Sequence, residues 1–300
     1  MSDPHPNQIS RRDLLRYSAL GIAAIGGGSF LSACSTTEAG NPNSVAGGLT
    51  QRVQDGDSVR MVIGNEPPYT KLLANGDVTG AEPDVAKAVL KQMGITNVEA
   101  ITSGYDAMIP GLDADRWDMV AAGLFMNKSR CADVLYSSPV IVSTESLAVP
   151  TGNPKGLTTL DDVKSNPDVK VAVLSGSFEL KTALSLDIPQ GQLPTYNLAP
   201  DAMQALDAGR VDAVLLPTLT LQDLKSKLKG FEISPPLDEF PTTGSGEAFR
   251  KSDKDFFEKY NKKLKAFKQT SEFDKILAKW GFSGQSARDA TTKELCATPG

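Results

Sequence analysis

The sequence predicts an α/β protein of two similar lobes joined by a two-strand hinge. Three observations carry that expectation. Short apolar stretches alternate with amphipathic ones along the chain. The segment AMIPGLDADRWDMVAAG, from Ala107, is echoed by AMQALDAGRVDAVLLP, from Ala202, with L-D-A-x-R-x-D-x-V shared and Leu112 and Leu206 lying 94 residues apart. Two extended β-rich stretches, VIVSTESLAVP and PTTGSGEAF, bracket the second series, so the chain crosses from the first lobe to the second and returns.

The elements follow in order. The folded part begins near Gln51 with the strand VRMVIG, then a helix from about Glu82 to Met93 that Gly94 stops. A short helix around Met108–Leu112 leads into the strand WDMVAAG, whose Trp117 reads as core. The second series runs through VKVAVLSG, a helix around Phe178–Leu184, another around Asp201–Leu206, and VDAVLLP. After Ser252 come two helices: Phe256, Tyr260 and Leu264 recur every four residues with Phe257 and Phe267 beside them, and Phe273, Ile276, Leu277 and Trp280 precede Gly281. Those aromatics are expected to pack onto lobe one. The expected division is residues 51–145 plus 243–300 for lobe one and 146–242 for lobe two.

What precedes Gln51 reads as processing and tether. Residues 1–33 pair Arg11 and Arg12 ahead of a Gly- and Ala-rich apolar stretch, which is short for a membrane span of ~20 residues. SRRDLL resembles a twin-arginine export signal, with a plain secretory signal as the alternative. LSAC resembles a lipobox, in which Cys34 is freed and lipidated. Residues 34–50 are small and polar, a flexible tether from that lipid to the fold. The expected location is therefore the outer face of the cell membrane.

Composition narrows the chemistry further. A chain of 300 residues with a formal net charge of −5 and no basic stripe argues against nucleic-acid binding. The single histidine, His5, lies in the leader, so the mature chain offers no Ser-His-Asp or Cys-His catalysis and no His-bound metal. No cofactor or metal is expected. With Cys34 taken by lipid, Cys131 and Cys296 remain, and in an exported protein a leftover pair most simply forms one disulfide. A catalytic thiol beside Arg130 is the competing idea, and it lacks a base.

From about Val59 to Trp280 the chain resembles the extracellular solute-binding proteins that serve ABC importers of polar amino acids. The motifs are NEPPY, GDVTGAEPDVAKAVLKQMG, YDAMIPGLDADRWDMVAAG, SRCADVLYSSP, AGRVDAV and FDKILAKWG. IPGL, RCADV beside SSP, GNPKGL and the terminal ELCA bring it nearest to the ectoine/hydroxyectoine-binding branch. The resemblance implies a type II periplasmic-binding-protein-like fold, a monomer that is not an enzyme, a small zwitterionic solute held between the lobes, and an ABC importer permease as partner. It also places Cys131 and Cys296 at matched positions, tying lobe one to the C-terminal segment, a closure worth roughly 3 to 5 kcal/mol.

Carried over residue by residue, the resemblance assigns the ligand carboxylate to Arg130, whose planar guanidinium can make two parallel charge-assisted bonds. Gly176 and Ser177 are expected to add backbone N–H groups from lobe two. Ile63 and Glu66, Tyr105, Gly123, Phe125 and Asn127 are the other implied contacts of lobe one, with Phe178, Glu179 and Pro217 from lobe two. Amino-acid binders place an acid for the α-ammonium where Pro217 stands, and proline has no side-chain acceptor. Tyr105, Phe125 and Phe178 instead offer aromatic faces to a softer cation, with Glu66 as balancing charge. The branch carries an aromatic where this chain has Ile63 and lacks Phe178, so the cage is rearranged. A polar amino-acid receptor and a cyclohexadienyl-dehydratase-like enzyme on the same fold are the alternatives.

Overall fold

The computed structural model describes residues 48–299. The export segment (1–33), Cys34 and the tether through residue 47 lie outside the described residues, as does residue 300. The fold starts earlier than the sequence suggested. A helix spans Gly48–Gln54, and Leu49 is buried in the main core, so the last three residues assigned to the tether belong to the fold.

Two five-stranded sheets share one plan. In the first, the order is Val98–Thr102, Val59–Ile63, Met119–Val120, Ala248–Phe249, Leu135–Tyr136; in the second it is Thr195–Tyr196, Val171–Leu174, Ala213–Pro217, Glu145–Pro150, Phe231–Ile233. In each, the first three strands are parallel and the fourth runs antiparallel to its neighbours. The fourth strand is the one supplied by a crossing: Ala248–Phe249 arrives after the second series, and Glu145–Pro150 leaves from the first. The two crossings pair with each other, Ile141–Ser143 against Thr243–Ser245, with Thr243 opposite Ser143. That antiparallel pair is the two-strand connection read from the sequence.

The internal echo is structural as well. The helices Tyr105–Asp113 and Ala199–Asp207 each end in a left-handed residue at the same place in the repeat, Asp115 with φ 56° and Gly209 with φ 64°. The following aspartates repeat one contact: Asp118 accepts the Arg60 backbone N–H at 2.8 Å, and Asp212 accepts that of Lys170 at 2.8 Å. Each joins the helix-to-strand turn to the neighbouring parallel strand. The strands VRMVI, VAVL and AVLLP are almost wholly buried, as expected of parallel strands covered on both faces.

The C-terminal helices Lys254–Phe267 and Ser271–Lys279 bury Phe256, Tyr260, Leu264, Phe267, Phe273 and Leu277. Phe249 of the first sheet stacks at 5.1 Å on Tyr260 and about 6 Å from Phe256, which places those aromatics on lobe one as the periodicity predicts. Trp117 is core, its indole N–H donating to the Met108 carbonyl at 2.8 Å. Cys131 and Cys296 are joined, with Cα atoms 5.8 Å apart across 165 residues of sequence. No described helix is long and apolar enough to cross a membrane.

Candidate ligand cleft

The cleft forms where the chain leaves the carboxyl ends of the parallel strands, the edge at which open α/β sheets hold ligands. After Val59–Ile63 the chain brings Glu66 and Tyr69; after Met119–Val120 it brings Gly123, Phe125 and Arg130; Tyr105 projects from the head of its helix. From the second sheet come Ser177, Phe178, Glu179 and, at the end of its own strand, Pro217. Nine of the predicted positions thus converge on one cleft, and one unpredicted residue, Tyr69, joins them.

Arg130 lies in the helix Lys128–Asp133, whose first turn Asn127 caps by accepting the Arg130 backbone N–H at 2.8 Å. Its side chain is buried, with Nη1 donating to the Phe125 carbonyl and Nη2 to the Gly176 carbonyl across the cleft, both at 2.7 Å. Among the described residues no carboxylate forms an ion pair with it. Burial pulls its pKa below the ordinary value, opposed by Tyr136, Glu179 and Tyr105, but a guanidinium keeps its charge. A buried cation bonded only to neutral carbonyls is a receptor for an anion.

Opposite it sit carboxylates and rings. Glu66 accepts from the Tyr105 hydroxyl at 2.9 Å and from the Thr220 hydroxyl at 2.8 Å, and burial together with the charge of Glu179 pushes it up to about 7. Burial and Glu66 hold the Tyr105 phenol well above its usual range, so it stays a donor. Tyr69 meets Phe125 edge to face at 5.8 Å, and Phe125 meets Phe178 in the same way at 6.0 Å. Phe178 continues into the wall, 6.3 Å from Phe240.

Three predicted contacts are placed elsewhere. Ile63 is fully buried in its strand, inside the core with Met61 and Val85, and does not line the cleft. Tyr69, three residues past Glu66 within the same NEPPY motif, lines the cleft. Asn127 stands behind Arg130 as its cap, and its Nδ2 has no partner among the described residues. Gly176 contributes its carbonyl to Arg130, and the Ser177 N–H is taken by the Leu174 carbonyl at 3.1 Å.

The lobes meet closely here. Gly176 adopts φ 65°, and a Cβ on it would stand 2.6 Å from the Asp106 N and Cα atoms of lobe one. Ser175 donates to Asp106 at 3.1 Å, and the Thr220–Glu66 bond also spans the cleft. The room left for the centre of a water-sized sphere is about 10 Å³, about what one water needs. The paired strands Ile141–Ser143 and Thr243–Ser245 link the two sheets.

A hinged cleft with a buried unpaired guanidinium on one wall defines a type II periplasmic-binding-protein-like receptor. Residues 59–283 match the model of the bacterial extracellular solute-binding proteins, family 3, and the chain belongs to that family. It is a solute-binding protein of the kind serving amino-acid-type ABC transporters. A probable amino-acid ABC transporter periplasmic-binding protein, y4tE of Sinorhizobium fredii, is 32% identical over 265 residues, covering 84% of this chain and 88% of that one. The crystal structure of EhuB in complex with hydroxyectoine superposes with a TM-score of 0.80 at 38% identity, covering 82% of this chain and 97% of EhuB. The ancestral amino-acid-binding protein AncCDT-1, a precursor of cyclohexadienyl dehydratase, gives a TM-score of 0.67 at 26% identity over 77% of this chain and 98% of its own.

Proposed function

We propose that this chain is the lipid-anchored receptor of an ABC importer and that it captures a small zwitterionic compatible solute of the ectoine or hydroxyectoine kind. The observation that carries the reading is the polarity of the cleft. Arg130 waits on one wall without a carboxylate, while Glu66 and Glu179 face it among the rings of Tyr69, Tyr105 and Phe125. The ligand carboxylate goes to Arg130, and its cationic nitrogen goes to the aromatic faces, each worth roughly 0.5 to 2 kcal/mol. Pro217 supplies no acceptor for an α-ammonium. The hydroxyectoine complex of EhuB supports the same ligand class.

In this reading residues 51–145 with 243–300 form lobe one and 146–242 lobe two, joined through the paired strands, and the monomer delivers its solute to a membrane permease. Lipid at Cys34, after export directed by residues 1–33, holds it at the outer face of the membrane. The solute leaves the cleft chemically unchanged.

A second reading, a polar amino-acid receptor, draws on a specific feature: Glu66 and Glu179 are joined by a third buried carboxyl, Glu145, enough acid to receive a primary ammonium. Competition titration separates the two. Ectoine, hydroxyectoine or glycine betaine is expected to displace glutamine, lysine and arginine, and to raise stability by ~2.7 kcal/mol at 100 times its dissociation constant. Tenfold tighter binding of glutamine, lysine or arginine than of every such solute assigns the chain to the amino-acid receptors instead.

A further inference from the structure

Glu145 lies outside every motif that pointed to the cleft. It opens the strand Glu145–Pro150 immediately after the first hinge strand, and across the ladder it faces Pro217. Its side chain is fully buried. Oε1 lies 3.0 Å from the hydroxyl of Thr243, on the returning hinge strand, and that hydroxyl also reaches the Ser143 carbonyl at 3.0 Å. Oε2 finds no donor at all among the described residues. The group within its hydrogen-bonding reach is another carboxylate, Glu179, which lines the cleft.

Two carboxylates in contact away from water do not both stay ionised; one proton between them turns repulsion into a hydrogen bond. We propose that Glu145 is a positioning residue, a neutral carboxyl that donates its Oε2 proton to Glu179, aims that carboxylate into the cleft and ties it to the hinge through Thr243. The inference rests on the reading of this cleft as the ligand site.

The surroundings place the proton on Glu145. Glu179 sits in the first turn of the helix Phe178–Ser185 and lines the cleft, whereas Glu145 is fully buried behind it and away from the cleft lining. Around Glu145 the titratable groups are Glu179 from that helix and Glu66 and Tyr69 from the loop after the first strand. None of them brings a positive charge, and Thr243 and Pro217 are neutral. Burial first, then Glu179, pushes Glu145 well above the usual carboxylate range, while Thr243 opposes the shift only in part.

The consequence is for ligand charge. With Glu145 neutral, the pair offers the solute one negative charge rather than two, which matches a single cationic nitrogen and disfavours a doubly cationic solute. Glutamine in place of Glu145 can make the same donation through Nε2, so the conservative substitution separates a neutral donor from an ionised ligand contact.

The test has two arms on the intact protein. Ectoine is titrated calorimetrically at pH 7 into the parent, Glu145→Gln, Glu145→Ala and Glu179→Gln. Glu145→Gln is expected to bind within about threefold of the parent, and Glu179→Gln to weaken tenfold or more. A tenfold loss in Glu145→Gln overturns the proposal, and a folded Glu145→Ala that binds like the parent overturns it too. In the second arm the carboxyl ¹³C shift of Glu145, assigned by its loss in Glu145→Gln, is followed with pH in ligand-free protein. A protonated shift at pH 7 that titrates only above it is expected; an ionised shift at pH 7 overturns the proposal. Should the parent not bind ectoine, the ligand class falls, while the carboxyl titration still decides the state of Glu145.

Discussion

Gly176→Ala tests lobe closure at a point where the structure states the cost. The new Cβ would stand 2.6 Å from the backbone N and Cα of Asp106, about 0.8 Å inside the ordinary contact distance of 3.4 Å. Backbone lies on both sides, so relief comes only by moving the lobes apart. That movement stretches the 2.7 Å bond from Arg130 to the Gly176 carbonyl and the 3.1 Å bond from Ser175 to Asp106. A hydrogen bond to a charged group contributes about 1.5 to 3 kcal/mol when buried, as at Arg130, and roughly 1 or less when exposed to water, as between Ser175 and Asp106, so the closed state should lose roughly 2 to 4 kcal/mol. Affinity should fall about 30- to 1,000-fold. The left-handed φ of 65° adds a separate cost of roughly 1 to 2 kcal/mol for alanine. That second cost is present whether the lobes are open or closed, so it appears in stability and not in affinity. Urea unfolding of the ligand-free protein measures the backbone cost, and calorimetric titration measures the clash. A variant that unfolds slightly earlier but binds within threefold of the parent would show that the lobes do not close at Gly176 when ligand is held.

Arg130→Ala should weaken ligand binding by about 2 to 5 kcal/mol with the fold retained, and Arg130→Lys should recover only part, because an ammonium lacks the two-pronged geometry; titration of both variants checks the order. Because a bound cation favours ionised Glu66, whose pKa is raised to about 7, ligand binding below that pH must release a proton. Affinity should therefore rise with pH, at most tenfold per unit, and level off above about 7, a slope that Glu66→Gln removes. Asp118 is fully buried among Arg52, Arg60 and Arg250. Burial pushes its pKa up, but the hydrogen bonds from Arg60 and Arg52 outweigh it and hold the carboxyl below its usual value. Its contribution is complete above the unfolded pKa of about 4 and is lost as pH falls through the depressed folded value. Asp118→Asn should cost about 3 kcal/mol at pH 7, measured by urea unfolding, with the gap to the parent narrowing at pH 3.

Periodicity and local chemistry carried much of this protein into view. Strand runs such as VAVL, the aromatic stripe from Phe256 to Phe267, and the echoed L-D-A-x-R-x-D-x-V are local patterns, and local patterns survive in one dimension. Arg130, Tyr105, Phe125 and Glu179 were assigned through the family resemblance rather than through local pattern, and in the fold Tyr105, Arg130 and Glu179 lie in the first turns of their helices. The misplacement of Ile63 has an equally physical cause. In a parallel strand buried on both faces nothing in the alternation tells which side chains reach the edge, and the chain turns toward the cleft only three to six residues later, at Glu66 and Tyr69. Glu145 was invisible for a different reason. Its meaning depends on pairing: Pro217 beside it on one strand, Thr243 on another, and Glu179 from a helix 34 residues downstream. The sequence determined which elements form and which charges the cleft contains. Only the tertiary structure decided which of those charges touch, because a proton shared between two carboxyls depends on their separation in space, which sequence distance does not encode.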